Sequence, residues 1–463
     1  MKNLAGSATR RYRAMFQNIF CRGLMAAMGV VLITAPSHAQ VLNQEVTRLL
    51  LGNCAGLGFV DGGSAAASGV GQNLYNLCAF PPTSASNGSS GGGGAASVQA
   101  ASLSILNRNL VSRLEDIREE STGTKSARAS SLVMNPFGAF APGLLRGFGM
   151  GSPTSPTGDS SGTSFNLANQ GRWKGVGFFA TGLVEALNRD VTTFQDGYNS
   201  TILGVTAGAD YRFNQKTVAG IAVNYSNTHG DFTGGGDFNT NSIGATLFGS
   251  YLPTDRTFIQ VSGGYSNNNY LVSRLANVFI AGSGGPDRSA TGFASSNTNG
   301  DIFSANVLAG YDHPIGMFTI GPRLGFNYMN THIHSFAESG ATGIEMQYND
   351  QYVNSVQTLL GVQGQAAINT GWGVLVPQVN ADYIHEYANS QRFINVQFVE
   401  DLRANPTKFA FQNEAPVRNW FNLGTGLIMV LPNGWQPFVN FRAMVGNEQF
   451  NNYAGTFGAR IEM

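Results

Sequence analysis

Strict alternation of apolar with small or polar residues, from Trp173 to the end of the chain, most constrains the fold. In residues 203–213 the odd positions are Leu, Val, Ala, Ala, Tyr and Phe, whereas the even positions are Gly, Thr, Gly, Asp and Arg. Residues 318–328 and 453–463 repeat this pattern. Successive side chains of a β-strand point to opposite faces, so each segment has one apolar face and one small or polar face. Such strands suit a wall between lipid and an aqueous interior.

The alternating segments predict about twelve strands, an even number as in single-chain bacterial membrane barrels. We place these strands at 173–187, 199–213, 217–229, 239–252, 256–272, 301–313, 316–332, 354–369, 372–386, 418–431, 434–447 and 451–463. The predicted fold class is therefore an all-β membrane protein. It is an antiparallel transmembrane β-barrel of about twelve strands, preceded by a small helical, linker-rich N-terminal region.

The connections between the predicted strands alternate in length. Short turns rich in Pro, Asn, Asp or Gly lie at 214–216, 253–255, 314–315, 370–371 and 432–433. Long loops lie at 188–198, 230–238, 273–300, 333–353 and 387–417. Turns on one rim and loops on the other are expected of a barrel inserted from the periplasm, whereas a soluble β-sandwich has no reason to alternate in this way. An even strand count places both barrel ends, including Met463, on the periplasmic side.

The composition agrees with a membrane barrel. The chain has 60 Gly, 31 Phe and 15 Tyr, and its mean hydropathy is −0.07. No segment after the N-terminus has the roughly 18 consecutive apolar residues of a transmembrane helix. Because 27 Lys and Arg balance 27 Asp and Glu, no electrostatic feature points to nucleic acid as a partner.

The first 39 residues have the organisation of a secretory signal peptide. Its basic residues are Arg10, Arg11, Arg13 and Arg22. An apolar stretch, Gly23–Thr34, and a small-x-small cleavage site, Ser37-His38-Ala39, follow. The alternative is an uncleaved inner-membrane anchor. Export and the barrel together predict the outer membrane of a Gram-negative cell.

After cleavage the chain retains two cysteines, Cys54 and Cys78, which an oxidising periplasm allows to form a disulfide. Each follows a short apolar segment, so we predict two amphipathic helices stapled together. A flexible linker is predicted at 83–96. A third helix is predicted at 97–120, where Leu and Ile recur every three or four residues. An extended connector, 121–164, leads to the barrel.

The barrel region resembles an autotransporter β-domain, the translocator of type V secretion. The local patterns that carry the resemblance are GVTAGADYRF at 204–213, GYD at 310–312 and GWQPFVNF at 434–441. Two features depart from the family. Residues 40–165 lack the repeats of a typical β-helical passenger, and Met463 stands where the family usually ends in Phe or Trp.

The resemblance implies a division of the chain into a signal peptide (1–39), a short helical passenger or plug (40–165) and the barrel (166–463). It also implies the partners: outer-membrane lipid, the barrel assembly machinery during insertion, and the chain's own N-terminal segment in the lumen. We expect a monomer, without nucleic acid and without a cofactor.

Two clusters near the outer rim have residue types that catalyse reactions or bind metals. His332 and His334 share one face of a strand, but two imidazoles need a third ligand from elsewhere to hold a metal, so we interpret them as part of a polar rim. Asp382, His385 and Glu386 offer an acid and a base. No nucleophile elbow accompanies them.

A third segment, Gly158-Asp159-Ser160, resembles the start of a lipase block, but it lies in a linker and lacks the following Leu. The chain is therefore predicted not to be an enzyme and to have no catalytic, cofactor or metal site.

The polar face of the strands places charges in the lumen. They are Asp210, Arg212, Arg323, Asp382, Arg442, Arg460 and Glu462. In a narrow lumen such charges should pair with one another or with a plug. We favour a stabilising network over an ion-selectivity filter.

Three functions remain open from the sequence. The first is an autotransporter-type barrel that anchors, and translocates or displays, its own short N-terminal region at the cell surface. The second is a narrow pore with an N-terminal plug. The third is an outer-membrane hydrolase, which the absence of a nucleophile motif disfavours.

Overall fold

The computed structural model describes most of the barrel and a short part of the N-terminal region. The described residues are 69–78, 82–86, 176–190, 197–214, 216–254, 256–282, 288–340, 343–390, 393–412, 415–431 and 435–462. Two short elements precede the barrel, namely helix α1 (Gln72–Cys78) and strand β1 (Pro82–Ser86). Helix α1 confirms the second of the two predicted short helices, whereas the predicted first helix lies outside the described residues.

Twelve strands form one closed antiparallel barrel, as the alternation predicted. They are β2 (Val176–Arg189), β3 (Tyr198–Arg212), β4 (Thr217–Phe232), β5 (Gly236–Thr254), β6 (Thr257–Gly282), β7 (Arg288–Tyr311), β9 (Phe318–Ile333), β12 (Gln351–Ala366), β14 (Gly373–Glu386), β17 (Asn419–Val430), β18 (Trp435–Val445) and β19 (Phe450–Glu462). Each pairs with its sequential neighbour in the barrel, and β19 pairs with β2 to close it. Two short strands, β8 (His313–Ile315) and β13 (Ile368–Thr370), extend the turns at the inner rim.

The two faces of the wall have the predicted polarity. On β3, Leu203 and Val205 point outward and are 50% and 58% exposed, whereas Thr206 and Asp210 point inward and are buried. On β9, Leu324 is likewise exposed outside. The outer surface is therefore apolar and the lumen is polar, which is the arrangement of a barrel surrounded by lipid.

The lumen is filled in layers. At the inner end, where the short turns lie, apolar side chains from six strands pack together: Phe179, Val218, Ala222, Phe248, Val376, Ile428, Val430 and Phe438. Phe179 and Phe248 contact edge to face with ring centroids 6.1 Å apart. Above this layer lie buried polar and charged side chains. The outer end is closed by a second and larger apolar cluster.

Two of the predicted long loops are mostly strand. Between β4 and β5 only a tight turn remains, with Gly235 and Gly236 at φ +102° and +103°. Strands β6 and β7 continue to Gly282 and Arg288 as one hairpin. Beyond the membrane both faces of a hairpin contact water, so the apolar alternation ends there although the strand pairing continues. The sequence pattern therefore marked the end of the lipid-facing segment and not the end of the strand.

Other predictions concern segments that the structure describes only in part. The start of the predicted linker 83–96 forms β1, which pairs with the tip of β6. Cys78 is disulfide-bonded, but Cys54 lies outside the described residues, so the pairing of these two cysteines stays a prediction. The signal peptide, the helix at 97–120 and the connector at 121–164 also lie outside the described residues.

A charge on the outer face of the barrel wall should lower the free energy of unfolding by an amount that depends on its depth in the membrane. Leu247→Arg, midway along β5 on the lipid side, should destabilise the barrel by about 2–4 kcal/mol. Asn241→Arg, on the same face near the outer rim, should cost at most about 1 kcal/mol because the guanidinium reaches water there. Urea unfolding in lipid vesicles measures both free energies, and equal costs would contradict the assigned depth of the two positions.

Candidate functional site

The long loops build a small sheet over the outer end of the barrel. Its strands, in order, are β10 (Phe336–Ala337), β11 (Met346–Tyr348), β15 (Phe393–Phe398) and β16 (Phe409–Gln412). Strands β10 and β11 come from the loop between β9 and β12, and β15 and β16 come from the loop between β14 and β17. Two loops that are distant in sequence thus become one structure, which we call the outer sheet.

Helix α1 packs between the outer sheet and the barrel wall. Leu74 and Leu77 are 0% and 5% exposed. They belong to one apolar cluster with side chains of the wall and of the outer sheet. Its other members include Tyr198, Ile202, Phe238, Tyr270, Ile344, Met346, Tyr348, Val396 and Phe398. The outer mouth of the barrel is therefore closed by a packed core to which the N-terminal region contributes.

Glu400, in the turn after β15, holds the N-terminal end of α1. Its carboxylate accepts a hydrogen bond from the Leu74 amide at 2.7 Å and one from the Asn73 side chain at 2.9 Å. Its backbone carbonyl accepts a bond from the Gly71 amide at 2.8 Å. The first amides of a helix have no partner within the helix. The loop therefore supplies the capping group that α1 lacks in its own sequence.

Two glycines make this close approach possible. A Cβ at Gly71 would stand 2.5 Å from the Glu400 carboxylate. A Cβ at Gly343 would stand 2.7 Å from the backbone of Asn73 and Leu74, and Gly343 also has φ +82°, which favours glycine. The helix therefore lies so close to the surrounding loops that there is no room for a side chain at either glycine.

Ion pairs stiffen the loops around α1. Asp401 accepts hydrogen bonds from Arg403 at 2.6 and 2.7 Å and from the Thr407 amide at 2.9 Å. Burial alone would raise the pKa of Asp401, but these hydrogen bonds outweigh it and lower that pKa below its ordinary value. At neutral pH the ionised Asp401 carboxylate therefore braces the turn that presents Glu400 to α1.

A second ion pair lies beneath the outer sheet. Arg274 of β6 makes two hydrogen bonds of 2.6 Å with Glu338, and both side chains are about 5% exposed. Burial and the Glu338 carboxylate together raise the pKa of the nearby Tyr348 phenol. This pair joins the outer sheet to the barrel wall.

The predicted lumen charges are placed as follows. Arg323 and Asp382 form a two-pronged ion pair with a shortest distance of 2.5 Å, and both side chains are 0% exposed. A Cβ at Gly361 would overlap the Asp382 carboxylate. Arg460 lies 3.5 Å from Asp210.

Arg442 pairs with Glu185, an inward charge outside the predicted set. Its guanidinium lies 3.7 Å from Glu185 and donates a 2.9 Å hydrogen bond to Asn452. Glu185 lies on the inward face of β2, so the alternation itself contained the signal. The side chains of Arg212 and Glu462 lie outside the described residues, although both backbones belong to barrel strands.

The possible acid and base on β14 lie on opposite sides of the wall. Asp382 and Glu386 point into the lumen, where Glu386 accepts a 2.5 Å hydrogen bond from Ser355. His385 points outward and contacts Asn419 at 2.7 Å. Neighbouring residues of a strand cannot act on one substrate atom through a barrel wall. The segment Gly158-Asp159-Ser160 lies outside the described residues.

Fold and site together define an outer-membrane β-barrel whose outer mouth is closed in part by its own N-terminal region. Residues 178–442 match the family model described as the autotransporter β-domain. The chain belongs to the autotransporter β-domain family. It is accordingly an outer-membrane protein, and among the described residues no helix is long and apolar enough to cross a membrane.

The chain is also similar to individual curated proteins over part of their length. The chain is 25% identical over 227 residues to esterase EstA of Pseudomonas aeruginosa, covering 48% of this chain and 32% of that protein. It is 20% identical over 261 residues to outer membrane protein A of Rickettsia conorii, covering 55% of this chain and 12% of that protein. The chain thus spans a third or less of the length of these curated relatives.

Solved structures of similar fold include two autotransporter domains. The translocator domain of NalP from Neisseria meningitidis matches with a TM-score of 0.49 and 14% identity, covering 64% of this chain and 91% of that one. The transport unit of AIDA-I from Escherichia coli matches with a TM-score of 0.45 and 16% identity, covering 65% and 94%.

Substitutions of the two residues of the lumen ion pair should have non-additive effects on the free energy of unfolding. Asp382→Leu alone should destabilise the barrel by about 3–5 kcal/mol because it leaves the buried Arg323 guanidinium without its counter-charge. The double variant Arg323→Met with Asp382→Leu should recover most of that loss. Unfolding free energies of the four members of the cycle measure the coupling, and additive costs would contradict a mutually dependent pair.

Proposed function

We propose that this chain is an autotransporter-type barrel that anchors and displays its own short N-terminal region, residues 40–165, at the cell surface. Part of that region, around α1, forms the plug of the outer mouth. The observation that carries the proposal is the docking of α1 against the outer sheet through Glu400.

The position of α1 relative to the barrel supports display. Strand β2 begins at Val176 on the short-turn rim, which is the periplasmic rim for an even number of strands. Helix α1 precedes β2 in sequence but contacts the loops of the opposite rim. A segment that precedes the barrel in sequence and lies at its outer end has the position expected of a translocated segment.

The proposal includes the parts that accompany such a barrel. We assign residues 1–39 to the signal peptide and 166–463 to the barrel, with lipid and the barrel assembly machinery as partners. A disulfide between Cys54 and Cys78 would tie the segment before α1 to the plug. Capping, apolar packing and this disulfide would then hold the plug together.

No specific observation supports either of the two alternative functions, a pore or a hydrolase. For a pore, the packed outer cluster and the paired lumen charges argue against a continuous water path. For a hydrolase, the residues of the best candidate cluster are divided by the barrel wall. The esterase relative matches this chain over only 32% of its own length, so the activity in its name gives no argument for this chain.

Surface exposure of the N-terminal region tests the proposal directly. An epitope inserted after Asn87 should be removed when intact cells are treated with protease. An epitope inserted between Gly282 and Arg288, the outer ends of β6 and β7, is the exposed control, and one inserted at Gln215, between the inner ends of β3 and β4, is the protected control. If the epitope after Asn87 is protected as fully as the one at Gln215, display is refuted and a luminal or periplasmic plug is favoured.

The capping contact predicts a local effect of Glu400→Gln. The neutral amide accepts a weaker hydrogen bond from the Leu74 amide, so the docking of α1 should weaken by about 1 kcal/mol. Hydrogen exchange at the amides of α1 should accelerate about fivefold, whereas exchange in the barrel strands should not change. Glu448→Gln, an exposed carboxylate in the outer loop before β19, is the matched control and should alter neither rate.

A further inference from the structure

On the outside of the barrel, at its outer rim, strands β7 and β9 bring a carboxylate and two imidazoles together. Asp301 of β7 stands directly opposite His332 of β9 in the register. His334 follows two residues later on the same face, just past the end of β9. Directly opposite and diagonal neighbours on one face of a sheet are close enough for their side chains to meet.

The three side chains have the spacing of a metal-binding group. One possible ligand atom from each of Asp301, His332 and His334 lies within 4.8 Å of the other two. His334 Nε2 lies 3.1 Å from Asp301 Oδ2. The side chains of His332 and His334 are 23% and 46% exposed, so part of each ring is open to the outside. Asp301 is therefore the third ligand, which the sequence around the two histidines did not provide.

Neighbouring groups hold the ligands in place. His332 stacks on Tyr352, with ring centroids 4.3 Å apart and planes at 3°. Its Nε2 is buried and has no hydrogen-bond partner among the described residues. Asp301 accepts hydrogen bonds from Tyr265 at 2.5 Å and from Asn267 at 3.1 Å. Such contacts orient metal ligands.

We propose that Asp301, His332 and His334 bind one divalent transition-metal ion of the zinc type at the outer rim of the barrel. Two imidazoles and a carboxylate favour zinc and its neighbours over Mg²⁺ or Ca²⁺, which prefer oxygen ligands. Three protein ligands leave a coordination position for water. Asp350 Oδ2, 3.6 Å from His332 Nε2, adds a second negative charge beside the ion.

Binding requires a small contraction of the site. Ligand atoms about 2.1 Å from a tetrahedral zinc ion stand about 3.4 Å apart. Since the ligand atoms lie within 4.8 Å of one another, the widest pair must approach by at most about 1.4 Å. His334 lies beyond the last residue of β9 and is nearly half exposed, so its side chain has room to move. The ion would tie β7 to β9, and through Asp350 to the start of β12, at the rim.

Zinc binding by the folded full-length protein in detergent micelles tests the proposal. Protein treated with EDTA, incubated with ZnCl₂ and desalted should retain one zinc per chain by mass spectrometry. Isothermal titration with ZnCl₂ should show one site. His334→Asn and Asp301→Asn should each weaken the affinity at least a hundredfold, and Asp350→Asn should weaken it about tenfold.

His385→Asn is the matched control, since His385 also lies on the outer face near the outer rim but contacts the Asn419 amide and the Tyr387 ring. It should bind zinc as the unchanged protein does. The gel shift between unheated and boiled samples verifies that each variant is folded. The site is refuted if the unchanged protein retains no zinc, or if His334→Asn and Asp301→Asn retain as much as His385→Asn.

Discussion

In lipid every backbone amide and carbonyl must find a partner within the protein, because hydrocarbon offers none. The pairing of β19 with β2, from Phe450↔Arg189 to Glu462↔Gly177, meets this requirement by removing the last free edge of the sheet. Closure of the sheet has three further consequences. It separates an apolar outer face from a lumen, sets which rim holds the short turns, and brings charges from distant strands to face each other inside.

The closed wall leaves two openings, and the chain fills them differently. At the inner end, side chains of the wall itself pack into an apolar layer. At the outer end the opening is covered by the outer sheet and by α1, which is far from the barrel in sequence. Glu400 accepts hydrogen bonds from the Gly71 and Leu74 amides at the start of α1, so a helix too short to be stable by itself is held by tertiary contacts. The outer mouth is thus the place where the N-terminal region and the barrel become one structure.

Much of the fold could be predicted because barrel strands obey a strong local rule. The alternation around Leu203 and Val205 located a strand and both of its faces, and the short turns located the inner rim. The rule failed beyond the membrane. Strands β6 and β7 extend through most of the predicted loop at 273–300, since water on both faces leaves no apolar period to read. Glu185 was overlooked although the same alternation pointed it into the lumen.

The sequence by itself determined the barrel, its strand number, its orientation and the inward position of charges such as Arg323. Only the tertiary structure decided which charges pair, where α1 rests, and that Asp301 lies beside His332. The physical reason is that a strand's period of two depends on the environment of each residue alone. A partner on another strand depends on the register of the whole sheet, and a partner in a loop depends on how the loops fold over the barrel.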